Sequence, residues 1–225
     1  MVKRSPSGVK PSSRSARLAV SCLLLIAALP SCEKVWGIEA ARLDPVLGAG
    51  GEPGSTASAA CQAYCSAVTD NCTDKNAQYG DLKTCLDVCA AIPEGTPGDI
   101  GVNTVQCRLK MAESAPAEPE SFCTAAGPAG ELPGGSNGCG TACDGLCTLM
   151  MTFCTDHEAA KLAYANVQAC YEDCRGLPDR GAFSLAPDSG SASGPAVQCR
   201  IYHASAASQL ASLHCEHAMG ASPCL

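Results

Sequence analysis

The chain has 225 residues, a net charge of −7 and only 4% aromatic residues. Much of its 46% hydrophobic content is Ala and Cys, with Trp36 the one tryptophan, so apolar burial alone would give a marginal core. Residues 1–31 hold Lys3, Arg4, Lys10, Arg14 and Arg17 and no acid; without those five positive charges, residues 32–225 carry −12, a balance that repels phosphate backbones and excludes a nucleic-acid partner.

The five basic residues precede an apolar run, Leu18–Leu29, well short of the roughly 20 residues that span a bilayer as a helix. Basic region, short apolar core and small-residue exit read as a secretory signal peptide over residues 1–31. The exit Leu29-Pro30-Ser31-Cys32 resembles the bacterial lipobox, with Pro30 the one departure. That resemblance implies that Cys32 is lipidated and begins the mature protein, which makes the membrane a partner through the anchor. Glu33 stands where an Asp would signal inner-membrane retention, so an outer-membrane-anchored lipoprotein of the cell envelope is expected. Residues 32–60 follow as the lipidated N-terminus and a tether, whose last part, PVLGAGGEPGSTASAA, is rich in Gly, Ala and Ser.

The chain has 18 cysteines. Beyond Cys22 and Cys32 they form two sets of eight, in residues 61–139 and 143–224. The first is Cys61, Cys65, Cys72, Cys85, Cys89, Cys107, Cys123 and Cys139; the second is Cys143, Cys147, Cys154, Cys170, Cys174, Cys199, Cys215 and Cys224. Intervening lengths are 3-6-12-3-17-15-15 and 3-6-15-3-24-15-8. Cys-Thr-Asp (Cys72–Asp74, Cys154–Asp156) and Val-Gln-Cys-Arg (Val105–Arg108, Val197–Arg200) keep step with them. The self-similarity predicts two tandem domains.

Cys61, Cys65, Val68 and Cys72 fall on one helical face, as do Cys143, Cys147, Met150 and Cys154. A second helix carries Leu82, Cys85, Cys89 and Ile92, matched by Val167, Cys170, Cys174 and Leu177; Thr155-x-x-Glu158 reads as a capping box at its start in the second set. A third helix is expected from near Asn103 and Pro195, holding Cys107 and Cys199. The fold class is therefore all-α: two small disulfide-rich domains, each a Cys-x3-Cys helical hairpin plus a third helix.

Facing Cys-x3-Cys helices resemble α-hairpinin peptides and twin Cys-x3-Cys proteins. The resemblance implies Cys61–Cys89, Cys65–Cys85, Cys143–Cys174 and Cys147–Cys170. Among the many connectivities that remain open, Cys72–Cys107, Cys123–Cys139, Cys154–Cys199 and Cys215–Cys224 are expected. Stretches such as NCTDKNAQYGDLKTCLDVCA, NTVQCRL, CRIYHASAA and HCEHA are similar to a cysteine-rich repeat of uncharacterised Gram-negative lipoproteins, which implies export and lipidation and carries no activity.

No phosphate-binding loop, Cys-x-x-Cys or Cys-x-x-Cys-His occurs, and the Gly-x-Ser-x-Gly at residues 134–138 lies in the glycine-rich loop between the sets, with no histidine in the first set, so neither an enzyme nor a cofactor is expected. The expected function is a binding or structural module of the envelope for a protein or small ligand, with recognition in loops 90–104 and 175–196. The alternative is copper or zinc handling through His157, His203, His214 and His217, with Met150 and Met151. Were residues 195–217 one straight helix, His203 and His214 would stand about 16 Å apart along its axis. On that geometry only His214 and His217 can share an ion, a two-ligand site.

Overall fold

The computed structural model describes residues 57–134, 138–155 and 164–225. The signal peptide, Cys32, most of the tether, His157 and the acidic half of the Thr155-x-x-Glu158 pattern lie outside those residues.

Seven α-helices and one 3-10 turn make up the described residues, with no β-strand among them. They are α1 (Ala59–Asn71), the turn Asp74–Asn76, α2 (Leu82–Ala91), α3 (Val105–Ser114), α4 (Pro119–Ala126), α5 (Ala142–Phe153), α6 (Val167–Cys174) and α7 (Val197–Ala218). Ala59 and Ala60, the end of the expected tether, already form the first turn of α1. Short polar side chains start most helices by accepting an orphan N–H: Ser58, Asp81, Thr104, Thr141 and Asn166 each do so. Thr141 and Asp144 complete a capping box on α5. The described start of α6 is thus capped by Asn166, twelve residues into the segment that Thr155 was expected to open as a helix.

The first and second helices of each cysteine set pack as a hairpin, α1 on α2 and α5 on α6. They are joined by Cys61–Cys89, Cys65–Cys85, Cys143–Cys174 and Cys147–Cys170, with Cα atoms 5.6–5.8 Å apart. The other four bridges differ from those expected. They are Cys72–Cys123, Cys107–Cys139, Cys154–Cys215 and Cys199–Cys224, not Cys72–Cys107, Cys123–Cys139, Cys154–Cys199 and Cys215–Cys224. Both sets therefore have one connectivity: first to fifth, second to fourth, third to seventh, sixth to eighth.

The physical reason for the difference is a bend. In the first set the third helix is two helices, α3 and α4, broken at Glu118 with φ −153° and ψ 76° and restarted by Pro119. In the second set α7 runs on, but Leu210 has φ −146° and ψ 74°. Leu210 follows Cys199 by the same eleven residues that separate Glu118 from Cys107. The two backbones break at matching positions with matching dihedral angles. Each bend returns the seventh cysteine to the end of the first hairpin helix, where the third cysteine waits as the residue after the last helical turn.

The described helices fall in one compact unit, Glu52–Leu225, and one buried cluster runs through both sets, from Tyr64, Val68 and Val88 to Leu146, Leu149, Phe183 and Ile201. α2 packs on both α5 and α7. Between the sets, Glu131 is 2% exposed. Its carboxylate accepts the Ala142 N–H at 3.2 Å and faces Gln198, whose Nε2 donates to Asp179 at 2.7 Å. Burial, and then the Asp179 carboxylate, push Glu131 up to about 7.

Two outcomes are expected. Ala211→Pro, which places proline where the first set has Pro119, should be neutral or stabilise by about 0.4–1 kcal/mol in urea denaturation. A straight α7 would instead lose about 3 kcal/mol. Glu131 is raised from 4.5 to about 7 on folding, so the native state keeps a proton that the unfolded chain has already released between those values. Its contribution to stability accordingly falls as pH rises through that window. Glu131→Gln does not titrate, so its stability relative to wild type should climb from pH 4.5 to 7 and then level off. A difference that is flat with pH would show an ordinary carboxylate.

Candidate metal centre

The bend at Leu210 decides where the histidines stand. His203 lies four residues after Cys199 on the first arm of α7, while His214 and His217 flank Cys215 on the second arm. Because the arms fold on each other, ligand-capable atoms of all three lie within 4.8 Å of one another. The expected two-ligand pair is therefore part of a three-histidine cluster. The 16 Å separation of His203 from His214 does not arise, since it assumed an unbroken helix.

Nδ1 of His203 is 2.8 Å from Nδ1 of His214. Their rings are stacked with centroids 5.1 Å apart, and the His217 ring stands edge-on to His203 at 4.7 Å. Tetrahedral coordination by imidazole at the usual bond length sets ligand nitrogens about 3.3 Å apart, inside the range found here.

Two disulfides hold the arms. Cys154–Cys215 anchors the second arm between its two histidines, and Cys199–Cys224 anchors the first one turn from His203. The sulfurs of Cys199 and Cys224 also lie within 4.8 Å of a His203 ring nitrogen. Bonded to each other they are not thiolates, so the nitrogens are the available donors.

The electrostatics favour neutral rings. Burial, followed by the neighbouring His217 and His214, lowers His203 to about 4; the Ala192 backbone beside it acts the other way and is outweighed. Burial, then His217, also lowers His214. Neutral imidazole is the form that binds a metal. Nε2 of His203 and Nδ1 of His217 are buried without a well-formed hydrogen bond among the described residues, and a buried polar atom left that way costs about 1–3 kcal/mol.

Of the other residues singled out above, Met150 is buried in the core and Met151 is half-buried on α5. The sixteen cysteines from Cys61 to Cys224 are all in disulfides. Loop 175–196 contributes Phe183 and Leu185 to a cavity of about 260 Å³ that His214 also lines. Loop 90–104 instead turns back on itself, with Asp99 accepting the Thr96 N–H and the Thr104 hydroxyl. The sequence signal that could have placed His203 is Pro119: carried across the shared fifteen-residue interval, it marks Ala211 as the start of a second arm.

Comparison with known proteins gives one family match: residues 52–141 match the model of the BfoA family C-terminal domain. The match covers the first cysteine set and supports a cysteine-rich domain there. No curated protein and no solved structure matches the chain.

Proposed function

We propose that this chain is an exported, lipid-anchored, disulfide-rich binding module of the cell envelope and that its ligand is a zinc or copper ion held by His203, His214 and His217. The observation that carries this reading is the convergence of three imidazoles, two of them held neutral, on the inside of the α7 bend. Imidazole suits both ions, and three nitrogen ligands make a stronger site than the pair alone.

The first cysteine set supplies an internal control. At the positions of His203, His214 and His217 it carries Met111, Phe122 and Ala125, all packed in or against the apolar core. The same bend and the same bridges are thus built there without a histidine. Packing is satisfied by apolar side chains, and the imidazoles of the second set exceed what the fold requires. The shared connectivity and bend also support a duplication in which only the second copy acquired the site. Attachment through a lipid on Cys32 is supported by the lipobox-like Leu29-Pro30-Ser31-Cys32.

The test is the triple variant His203→Met/His214→Phe/His217→Ala, compared with the wild-type protein carrying all eight disulfides. The variant should fold with equal or higher stability and bind neither ion in native mass spectrometry. For wild type, zinc at about 100-fold over its dissociation constant should add about 2.7 kcal/mol to the unfolding free energy. An equal zinc response in both proteins would refute the site. Separately, Cys32→Ser should move the protein from the membrane to the soluble fraction; membrane retention would refute the anchor.

A further inference from the structure

The cavity of about 260 Å³ lies where parts distant in sequence meet. Tyr79 and Thr84 come from the first cysteine set, Phe183 and Leu185 from loop 175–196, and Tyr202 and His214 from either arm of α7. His214 belongs both to this lining and to the metal cluster. A second link runs through Tyr202, whose ring stands edge-on to His203 with centroids 4.9 Å apart.

Three protein ligands leave one position of a tetrahedral ion open. On the His203 side the cluster is closed: that ring is 5% exposed, and the buried Cys199–Cys224 bridge sits against it. The half-buried His214 is the histidine that reaches the cavity. His203 and His217 are absent from that lining, so a fourth ligand from the cavity would reach the ion past His214.

The lining indicates what would fill it. It contains no Lys or Arg, and its one carboxylate, Asp81, is occupied in capping α2 through the Thr84 N–H and hydroxyl. The bound ion would be the only positive centre, so a ligand is drawn in by a single anionic donor, and a second negative group would meet Asp81. The rings of Tyr79, Phe183 and Tyr202, with Leu185, suit a flat apolar body. The volume falls just below the roughly 300 Å³ at which pockets for drug-sized molecules begin. We infer that the cavity is the binding site of a small aromatic monoanion, a carboxylate or phenolate, that takes the fourth coordination position of the metal. This inference rests on the three-histidine reading and goes beyond it by assigning the ion a co-ligand.

The experiment is optical titration of the cobalt(II)-loaded protein, first with benzoate and then with acetate, which has the donor without the ring. Benzoate should change the cobalt spectrum saturably and bind about tenfold or more tightly than acetate. Ala206→Phe, which fills the cavity from α7, should keep cobalt affinity and abolish the preference for benzoate. Gln209→Trp, from an exposed position of the lining, serves the same purpose without burdening the core. Equal binding of acetate and benzoate, or a preference that survives both substitutions, would overturn the co-ligand site while leaving the metal site intact. Failure of wild type to bind cobalt at all would overturn the metal reading, and this inference with it.

Discussion

The bridge from the third cysteine to the seventh joins the end of the first hairpin helix to the far arm of a bent third helix. It ties the far arm of α7, and α4 after α3, to the hairpin that precedes them. Cys72–Cys123 and Cys154–Cys215 close loops of 51 and 61 residues. In the chain-entropy account loops of that length are worth about 4 kcal/mol each. That is comparable to the whole stability of many small domains. The hairpin bridges hold the remaining helices in register, and the sixth-to-eighth bridges fasten the loop or tail that follows.

That arrangement explains how a chain with so few large side chains holds one continuous core. The buried cluster is populated by half-cystines and alanines, with Tyr64, Phe183, Leu146, Leu149 and Ile201 among its few bulky members. A bonded pair of cysteines is a compact apolar unit as well as a covalent tie. Polar groups drawn into this core are satisfied only in part, with Arg108 Nη1 and Arg200 Nε among the buried atoms that lack a hydrogen-bond partner. Arg108, fully buried, donates from Nε to the Gly127 carbonyl at 3.0 Å, whereas its counterpart Arg200 pairs with Asp173 at 2.6 Å.

What could be read in advance follows from which features are local. Cysteine spacing at helical period placed the cysteine-bearing faces of α1, α2, α5 and α6, and the starts expected near Asn103 and Pro195 fall two residues before those of α3 and α7. The hairpin bridges followed from a resemblance. The other bridges depend on a bend, and a bend in α7 carries no mark of its own: Leu210 and Ala211 are ordinary helix residues. A straight third helix held His203 away from His214 and His217, whereas the backbone at Leu210 brings the three together.

The same covalent framework constrains which chemistry the site can offer. With every cysteine from Cys61 to Cys224 bonded to another, those residues contribute no thiolate to a metal. Nitrogen donors remain, and they need a place where rings can be held together while staying neutral. The inside of the α7 bend supplies it, because burial there opposes the charged form of His203 and each neighbouring ring opposes it further. The disulfides that compensate for a weak core therefore also leave imidazole as the donor of the proposed site, and they hold together the arms that carry it.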